Sequence, residues 1–267
     1  MTGSPLRVGF IGWGAIARSA YHWLSEPGVD VVAVAVRNAA TSRPDLPAGA
    51  HVISDPAELQ ALELDVVAEA AGRESVGPWG RAALAAGADL IVSSVSAFAD
   101  AELLSSLRAC AVENGAHILI QPGALAGVEA LAAATTMGVE EVEHRIVKPP
   151  RAWKGTPAET LCDLDNLTSP TVFFAANAAD TASQFPKNAN VAMTSALAGV
   201  GPEATKISLV ADPFATKNRH ELSAHGAFGH LEVALANSPL PENPKSSAMA
   251  ALSLVRALQN RVAAIAI

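Results

Sequence analysis

The sequence predicts an α/β protein with a doubly wound parallel sheet, a second α+β domain and a C-terminal helix that returns to the first domain. Short apolar segments alternate with helix-like segments from residue 6 to residue 121, which is typical of a parallel sheet covered by helices. Beyond residue 141 the segments alternate polar and apolar residues, as antiparallel strands do. An alanine- and leucine-rich helix over 246–266 follows a proline-rich connector over 239–245, and the first domain is the one that needs another covering helix.

The first domain is expected to comprise residues 1–123 together with 245–267. Its strands are short apolar or β-branched runs, and its helices show a cap at Ser54 or Asp55 and a stop at Gly115. The predicted elements are strand 6–11, helix 15–25, strand 30–36, helix 55–62, strand 65–70, helix 76–86, strand 89–93, helix 101–114 and strand 117–120.

The second domain is expected to comprise residues 124–244. Mixed strands with fewer helices predict its α+β arrangement. The predicted elements are helix 127–136, strand 141–148, strand 171–174, helix 188–198 and strands 205–211, 219–224 and 228–236.

Composition argues against several classes of protein. The 267 residues are 50% hydrophobic but only 4% aromatic, so small aliphatic side chains must fill the core. The formal net charge is −8 and no basic block occurs, which argues against a nucleic-acid partner. No apolar run reaches the roughly 18–20 residues of a membrane span, and the start of the chain lacks a signal-peptide pattern. Cys110 and Cys162 lie far apart without a CxxC pattern, so we expect no metal cluster and a reducing, cytoplasmic setting.

A glycine-rich turn joins the first strand to the first helix, with the sequence Gly12-Trp13-Gly14-Ala15-Ile16-Ala17. Gly12 permits the tight turn, Gly14 lets the backbone approach a pyrophosphate, and Ala17 keeps the helix close to the sheet. The first helical residues, Ala15 and Ile16, offer N–H groups to phosphates at the positive end of the helix dipole. Because the turn follows an apolar strand and opens a helix, it predicts a Rossmann-type site for a nicotinamide dinucleotide, NAD or NADP.

The end of the second strand bears on the choice between these two cofactors. NAD-selective sites place Asp or Glu there to accept a hydrogen bond from the ribose 2′-hydroxyl. Here Val36 is followed by Arg37 and Asn38. A guanidinium can pair with a 2′-phosphate, so we expect NADP to be accepted alongside NAD. The alternative is that Arg37 is a solvated residue at the end of a strand.

The carboxyl ends of the later strands are expected to line the same cofactor site. They carry small residues that allow close approach of the ribose and nicotinamide, among them Ala71, Ser94 and Ala124. Short loops without any ligand contact would have a similar composition, so each of these residues has that alternative explanation.

One histidine of the second domain is a candidate for proton transfer. His220 lies in a segment that alternates polar and apolar residues, and an imidazole suits acid–base chemistry near neutral pH. A lone histidine is more often structural, and His225 and His230 are rivals for the role. The spacing of five residues between these histidines matches no metal-ligand pattern such as HExxH, so we expect no metal.

The chain resembles the L-aspartate dehydrogenase family along nearly all of its length. The first similar segment is generic to Rossmann dehydrogenases, whereas the Pro-Lys-Asn-Ala-Asn and Asn-Arg-His blocks are more specific. The similar segments are VGFIGWGAIA (8–17), AEAAGRESV (68–76), LIVSSVSAFAD (90–100), ILIQPGALAG (118–127), VKPPRAWKGTPAE (147–159), QFPKNANVA (184–192) and ADPFATKNRHEL (211–222).

The resemblance implies oxidative deamination of L-aspartate to iminoaspartate with NAD or NADP. Water would release oxaloacetate and ammonia from the imine, or the imine would feed NAD biosynthesis. The resemblance also implies that His220 is the catalytic histidine and that Ala124 and Asn190 contact the cofactor. We expect Lys148 and Lys187, which lie in family-like blocks, to bind the two substrate carboxylates. The second domain would then be the substrate, catalytic and dimerisation domain of a homodimer.

Two other interpretations stay open. A related Rossmann oxidoreductase, such as a homoserine dehydrogenase or a dihydrodipicolinate reductase, shares the architecture. A cofactor-binding sensor without turnover needs no catalytic residue, and His220 in its expected block counts against it. A sugar oxidoreductase is disfavoured, because the mid-sheet strand leads into Ser93-Ser94-Val95-Ser96 instead of Glu-Lys-Pro.

Overall fold

The computed structural model describes residues 4–24 and 28–267, without the side chains of residues 244 and 245. Its contacts divide the chain into two units, one that runs to Gly123 and is completed by Ala250–Ile267, and one formed by Ala124–Met249. The start of the chain, residues 1–3, and Ser25, the expected end of the first helix, lie outside the described residues.

The first unit contains a six-stranded, fully parallel sheet, which confirms the doubly wound prediction. Its strands are rich in valine and isoleucine and are largely buried, because helices cover both faces of such a sheet. The strands are β1 (Leu6–Ile11), β2 (Val29–Ala35), β3 (His51–Ile53), β4 (Val66–Glu69), β5 (Asp89–Val92) and β6 (Ile118–Ile120). The order in the sheet is β3-β2-β1-β4-β5-β6. The order reverses between β1 and β4, so the switch point lies where β1 enters the glycine-rich turn.

The helices of this unit follow the predicted alternation. They are α1 (Ala15–Trp23), α2 (Arg73–Ala85) and α3 (Ala101–Asn114). The predicted helix 55–62 is a 3₁₀ turn, Pro56–Ala61, and Asp55 caps it by accepting a hydrogen bond from the N–H of Ala57 at 2.9 Å. The sequence analysis missed β3, because three residues at the edge of a sheet leave too little periodicity to detect.

The second unit contains a five-stranded mixed sheet with short helices, as the α+β prediction requires. The order is β11-β10-β7-β9-β8, in which β7 and β9 are parallel and the other neighbours are antiparallel. The strands are β7 (Val139–Lys148), β8 (Thr171–Asn177), β9 (Lys206–Ala211), β10 (Asn218–Gly226) and β11 (Gly229–Asn237). The helices are α4 (Val128–Ala134), α5 (Ala158–Leu161), α6 (Ala178–Gln184) and α7 (Ala189–Ala198).

The prediction that residues 239–245 form a connector is wrong. This segment forms a hairpin of β12 (Pro239–Leu240) and β13 (Asn243–Ser247). The hydroxyl of Ser247 donates to Oδ1 of Asn237 at 2.7 Å, which ties β13 to the end of β11. Three prolines predicted an irregular segment, but backbone pairing between the two short strands makes it regular.

The last helix returns to the first unit as predicted, but it is shorter than 246–266. It spans α8 (Ala248–Gln259), and the hydroxyl of Ser253 donates to Oε1 of Gln121 at 2.9 Å. Arg261 pairs with Asp89 beyond the end of the helix. Beyond the helix, the side chain of Asn260 is hydrogen-bonded to both the carbonyl oxygen and the N–H of Ile267. None of the helices in the described part of the chain combines the length and apolar character that a membrane crossing requires.

Candidate functional site

The glycine-rich turn has the backbone geometry of a phosphate cradle. Gly12 has a φ of 88°, and a Cβ at this position would lie 2.7 Å from the Cβ of Ala71, so a larger residue does not fit. A Cβ at Gly14 would meet nothing within 4 Å, so the approach to the start of α1 is open. Within the described part of the chain, no side chain caps the start of α1, and its first turn contains no acidic residue. The N–H groups of Ala15 and Ile16 are therefore positioned to receive an anion.

A cavity of about 760 Å³ lies in front of this turn, at the ends of β1, β2 and β4. Its volume is within the usual range for ligand pockets, about 300–1,000 Å³. Four predicted cofactor residues line it, namely Gly12, Gly14, Arg37 and Ala71. The cavity therefore joins the turn to the residue that follows the second strand, as the sequence analysis expected of a dinucleotide site.

A second arginine lies beside Arg37 in the lining of this cavity. Arg43 is half-buried, and its Nη1 donates to the carbonyl oxygens of Asn38, at 3.0 Å, and Thr41, at 2.8 Å. These bonds hold its guanidinium in place, whereas Arg37 is exposed. The sequence analysis missed Arg43, because it lies in an irregular loop whose course only the structure defines.

A buried carboxylate ties together the loops that follow β4 and β5. Glu69 is fully buried. Its Oε1 accepts hydrogen bonds from the N–H groups of Ala71 and Gly72, both at 2.8 Å. The same oxygen accepts from the hydroxyl of Ser94 at 2.9 Å and from the hydroxyl of Ser75 at 3.1 Å. Its Oε2 accepts from the N–H of Ser94 at 2.9 Å. Ser94 was predicted to contact the cofactor, and here both its hydroxyl and its N–H are bonded to Glu69. The sequence analysis passed over Glu69 because it lies inside an apolar strand.

His220 lies on β10 and its ring contacts a second histidine. Its Nδ1 is 3.1 Å from Nε2 of His144, which lies on the neighbouring strand β7. The Nδ1 of His144 is 3.0 Å from the hydroxyl of Ser195 on α7, and that hydroxyl is 3.0 Å from the carbonyl oxygen of Ala192. Three residues distant in the sequence thus form one chain of hydrogen bonds, of which only His220 was predicted.

Burial keeps both rings of this pair neutral at neutral pH. It lowers the pKa of His144 to about 3 and, with the nearby His144 and Lys148, holds the pKa of His220 well below its usual value of 6.5. The rival histidines are exposed instead, and His225 and His230 lie 3.0 and 3.3 Å from the carboxylates of Glu141 and Glu232. His220 is therefore the buried histidine of the three.

The two lysines predicted to bind the substrate, Lys148 and Lys187, are close enough for their positive charges to repel each other. Lys148 ends β7, donates to Oδ1 of Asn188 and lies 4.8 Å from the centre of the Trp153 ring, a cation–π contact. Burial and the charge of Lys187 lower the pKa of Lys148 to about 8. Lys187 itself is exposed, with its ammonium 3.5 Å from the carbonyl oxygen of Gly155.

The two remaining predicted cofactor residues also lie in the second unit. The carbonyl oxygen of Ala124 accepts a hydrogen bond from Nδ2 of Asn237 at 2.9 Å, and Asn190 is exposed near the start of α7. Among the described residues, no three His, Cys, Asp or Glu side chains come together as metal ligands.

Two family models match successive parts of the chain. Residues 129–261 match the family described as aspartate dehydrogenase, C-terminal, and residues 12–121 match the NAD binding domain of homoserine dehydrogenase. The crystal structure of an aspartate dehydrogenase from Thermotoga maritima is similar with a TM-score of 0.79 and 24% identity, covering 98% of this chain and 99% of that one. This similarity confirms the predicted fold class.

Relatives with higher sequence identity extend over almost the full length. An L-aspartate dehydrogenase of Brucella anthropi is 51% identical over 95% of each chain, and one of Cupriavidus necator is 41% identical over 98% of this chain and all of its own. One of Acinetobacter baumannii is 40% identical over 96% of this chain and 98% of its own. The chain belongs to the aspartate dehydrogenase family.

Proposed function

We propose that this protein oxidises L-aspartate with NAD or NADP, producing iminoaspartate, the reduced cofactor and one proton. The observation that carries the proposal is the combination, within one unit, of a neutral buried histidine and a half-buried ammonium. His220 can accept a proton from the substrate ammonium, and Lys148 can bind a carboxylate. Similarity to L-aspartate dehydrogenases along nearly the full chain supports the same substrate.

The residues of the first unit fit a dinucleotide. Gly12 and Gly14 leave room for a pyrophosphate, and the uncapped N–H groups of Ala15 and Ile16 can bind it. When bound, the nicotinamide supplies the redox chemistry by accepting a hydride from Cα of the substrate. Ala71 borders the cavity, and Glu69 holds its loop in place. We assign Ser94 to the cofactor because it follows the carboxyl end of β5, and Ala124 and Asn190 on the family resemblance.

His220 is assigned the proton transfers of both half-reactions. Hydride loss from Cα requires a neutral amine, because the nitrogen lone pair must form the C=N bond, and His220 accepts the ammonium proton first. His220 then releases this proton to water, so that in the second half-reaction it can take a proton from the water that attacks the imine carbon. It returns that proton to the nitrogen as the C–N bond breaks, and oxaloacetate and ammonia are released. General acid–base catalysis of this kind contributes about 10²- to 10⁴-fold.

The two carboxylates of the substrate are assigned to Lys148 and Lys187. A partly desolvated ammonium binds an anion more strongly than an exposed one, because less water competes for the charge. Lys148 is held by Asn188 and Trp153, so it is also pre-oriented. Lys187 is exposed and contributes mainly positive potential.

Acceptance of NADP is assigned to Arg37 and Arg43. Both line the cavity next to the end of β2, where an acidic side chain would repel a 2′-phosphate. Guanidinium groups form paired hydrogen bonds with phosphate oxygens. Guanidinium N–H groups can also donate to the hydroxyl oxygens of an unphosphorylated ribose, so we expect the enzyme to use both cofactors.

Three wider assignments belong to the proposal. The reaction would take place in the cytoplasm. Its products would be oxaloacetate and ammonia, or the imine would be used in NAD biosynthesis.

The enzyme would be a homodimer, with the second unit at the interface. This assignment follows the general preference of soluble oligomers for twofold homodimers. Light scattering of the purified protein tests the assignment, and a monomer at micromolar concentration would refute it.

The deciding experiment is absorbance at 340 nm with the purified protein, either cofactor and L-aspartate. We expect aspartate-dependent reduction that His220→Ala lowers at least 100-fold, while His225→Ala, on the same strand, leaves the rate unchanged. Reduction with homoserine but not with aspartate would instead identify a related dehydrogenase. Cofactor binding without turnover of any amino acid would identify a sensor.

A further inference from the structure

We propose that His144 is a positioning residue that fixes the tautomer of His220 and leaves Nε2 of His220 as the proton acceptor. The kinetic consequence rests on the proposed function, whereas the tautomer itself follows from contacts within the second unit. His144 lies on β7, 76 residues from His220, and belongs to none of the segments that carried the sequence-based assignment.

The assignment follows from counting hydrogens along the chain of contacts. A neutral imidazole has one N–H donor and one acceptor nitrogen, and a hydroxyl has one hydrogen to donate. The hydroxyl of Ser195 donates to the carbonyl oxygen of Ala192 at 3.0 Å, so it accepts from Nδ1–H of His144 at 3.0 Å. The Nε2 of His144 is then an acceptor, and Nδ1 of His220, 3.1 Å away, carries the hydrogen that it accepts. The Nε2 of His220 therefore carries a lone pair and no hydrogen.

Burial of His144 makes this arrangement directional. His144 is fully buried, and its two nitrogens are bonded to Ser195 and His220, so neither is open to substrate or water. The extra proton stays on Nε2 of His220, where substrate or water can exchange it. The other charged group that lowers the pKa of His220 is Lys148, whose positive charge favours return of the proton.

Ser195, on helix α7, is the third residue of this chain of hydrogen bonds. It is fully buried on α7, and its bond to Ala192 within the same helix fixes the direction of its hydroxyl. The two histidines are also held by their strands, because β7 and β10 are paired with His144 opposite Leu222 and Ile146 opposite His220. The ring centres are 5.3 Å apart. Strand register thus sets the distance between the rings, and the helix sets the hydrogen-bond direction.

The first test is a double-mutant comparison of aspartate oxidation. His144→Phe keeps a ring in the buried site but removes both nitrogens. We expect kcat to fall roughly 10- to 100-fold, by analogy with the loss seen when the partner that orients a metal-bound histidine is removed. The cofactor Kd should stay within twofold. In a His220→Ala background the same change should have no effect on the residual rate, and an equal loss in both backgrounds would overturn the proposal.

A conservative variant separates positioning from packing. His144→Gln can place an amide oxygen near the position of Nε2 and accept from His220, so we expect it to recover at least half of the lost activity on a logarithmic scale. If glutamine and phenylalanine variants are equally impaired while both retain the far-UV circular dichroism of the parent, His144 acts by packing alone and the proposal is wrong.

The second test needs no turnover and therefore distinguishes this inference from the proposed function. Two-bond ¹H–¹⁵N spectra of the ¹⁵N-histidine-labelled protein report which ring nitrogen carries hydrogen, and His220→Ala identifies the His220 signals. We expect the Nδ1–H form in the parent and in a His225→Gln control, and a shift towards the Nε2–H form in His144→Phe. An Nε2–H form of His220 in the parent would refute the assignment, even if aspartate is oxidised. Conversely, absence of aspartate oxidation with the Nδ1–H form intact would refute only the proposed function.

Discussion

Binding of a dicarboxylate is expected to weaken about tenfold between pH 7 and pH 9, because Lys148 loses its proton in this range. Its pKa is lowered to about 8 by burial and by the charge of Lys187, instead of the usual 10.5. Only the protonated amine attracts a carboxylate. Succinate is a suitable probe, since it has both carboxylates of aspartate but no amine whose own titration would interfere.

The magnitude follows from the pKa alone. A group with a pKa of 8 is about 90% protonated at pH 7 and about 10% protonated at pH 9, and the apparent Kd rises by the ratio of these fractions. A tenfold change in Kd corresponds to about 1.4 kcal/mol. A surface lysine with a pKa near 10.4 would lose about 4% of its protons by pH 9 and leave the Kd almost unchanged.

The assay is calorimetric titration of succinate with the reduced cofactor at saturation, from pH 7 to pH 9. Lys148→Arg is the matched variant, because a guanidinium stays protonated throughout, so its Kd should not depend on pH in this range. Lys187→Met should move the midpoint of the parent curve to higher pH, since it removes the charge that lowers the Lys148 pKa. An equal rise of Kd in the parent and in Lys148→Arg would show that another group titrates and would refute the reasoning.

Three further predictions concern the cofactor loops and the buried histidines. Arg37→Asp should raise the KM for NADP at least tenfold more than that for NAD, and equal increases would show that Arg37 does not contact the 2′ position. Glu69→Gln should lower the free energy of unfolding in denaturant by about 1–3 kcal/mol. Both carboxylate oxygens of Glu69 accept hydrogen bonds from backbone N–H groups, so the NH₂ group of a glutamine must face at least one N–H donor. Unchanged stability would contradict this. Both His144 and His220 stay neutral in the folded protein but bind protons below about pH 6.5 when unfolded, so the free energy of unfolding should fall as the pH falls. Between pH 6 and pH 5 the two rings should account for about 2 kcal/mol of this loss, and a His144→Gln, His220→Gln double variant that shows the parent's full pH dependence would refute it.

Elements that depend on nearby residues could be predicted from the sequence. The turn at Gly12 and the helix 101–114 with its stop at Gly115 are local features, and the structure confirms both. The hairpin over 239–247 was missed, because the prolines in this segment predict an irregular backbone, and the pairing of its two strands is seen only in the structure. The end of α8 was also missed, because the residues after Gln259 are largely apolar and include no glycine or proline that would mark the end of a helix.

The candidate site follows the same division. By itself, the sequence determined the dinucleotide turn and the arginine after the second strand, and family resemblance predicted a catalytic role for His220. Those features are local motifs, and a motif can be recognised one segment at a time. Only the tertiary structure decided that His144 and Ser195 form a chain of hydrogen bonds with His220. It alone also decided that Glu69 is hydrogen-bonded to the loops that follow β4 and β5. Their roles arise from strand register, burial and hydrogen-bond direction, and these bring together residues that are dozens of positions apart in the chain.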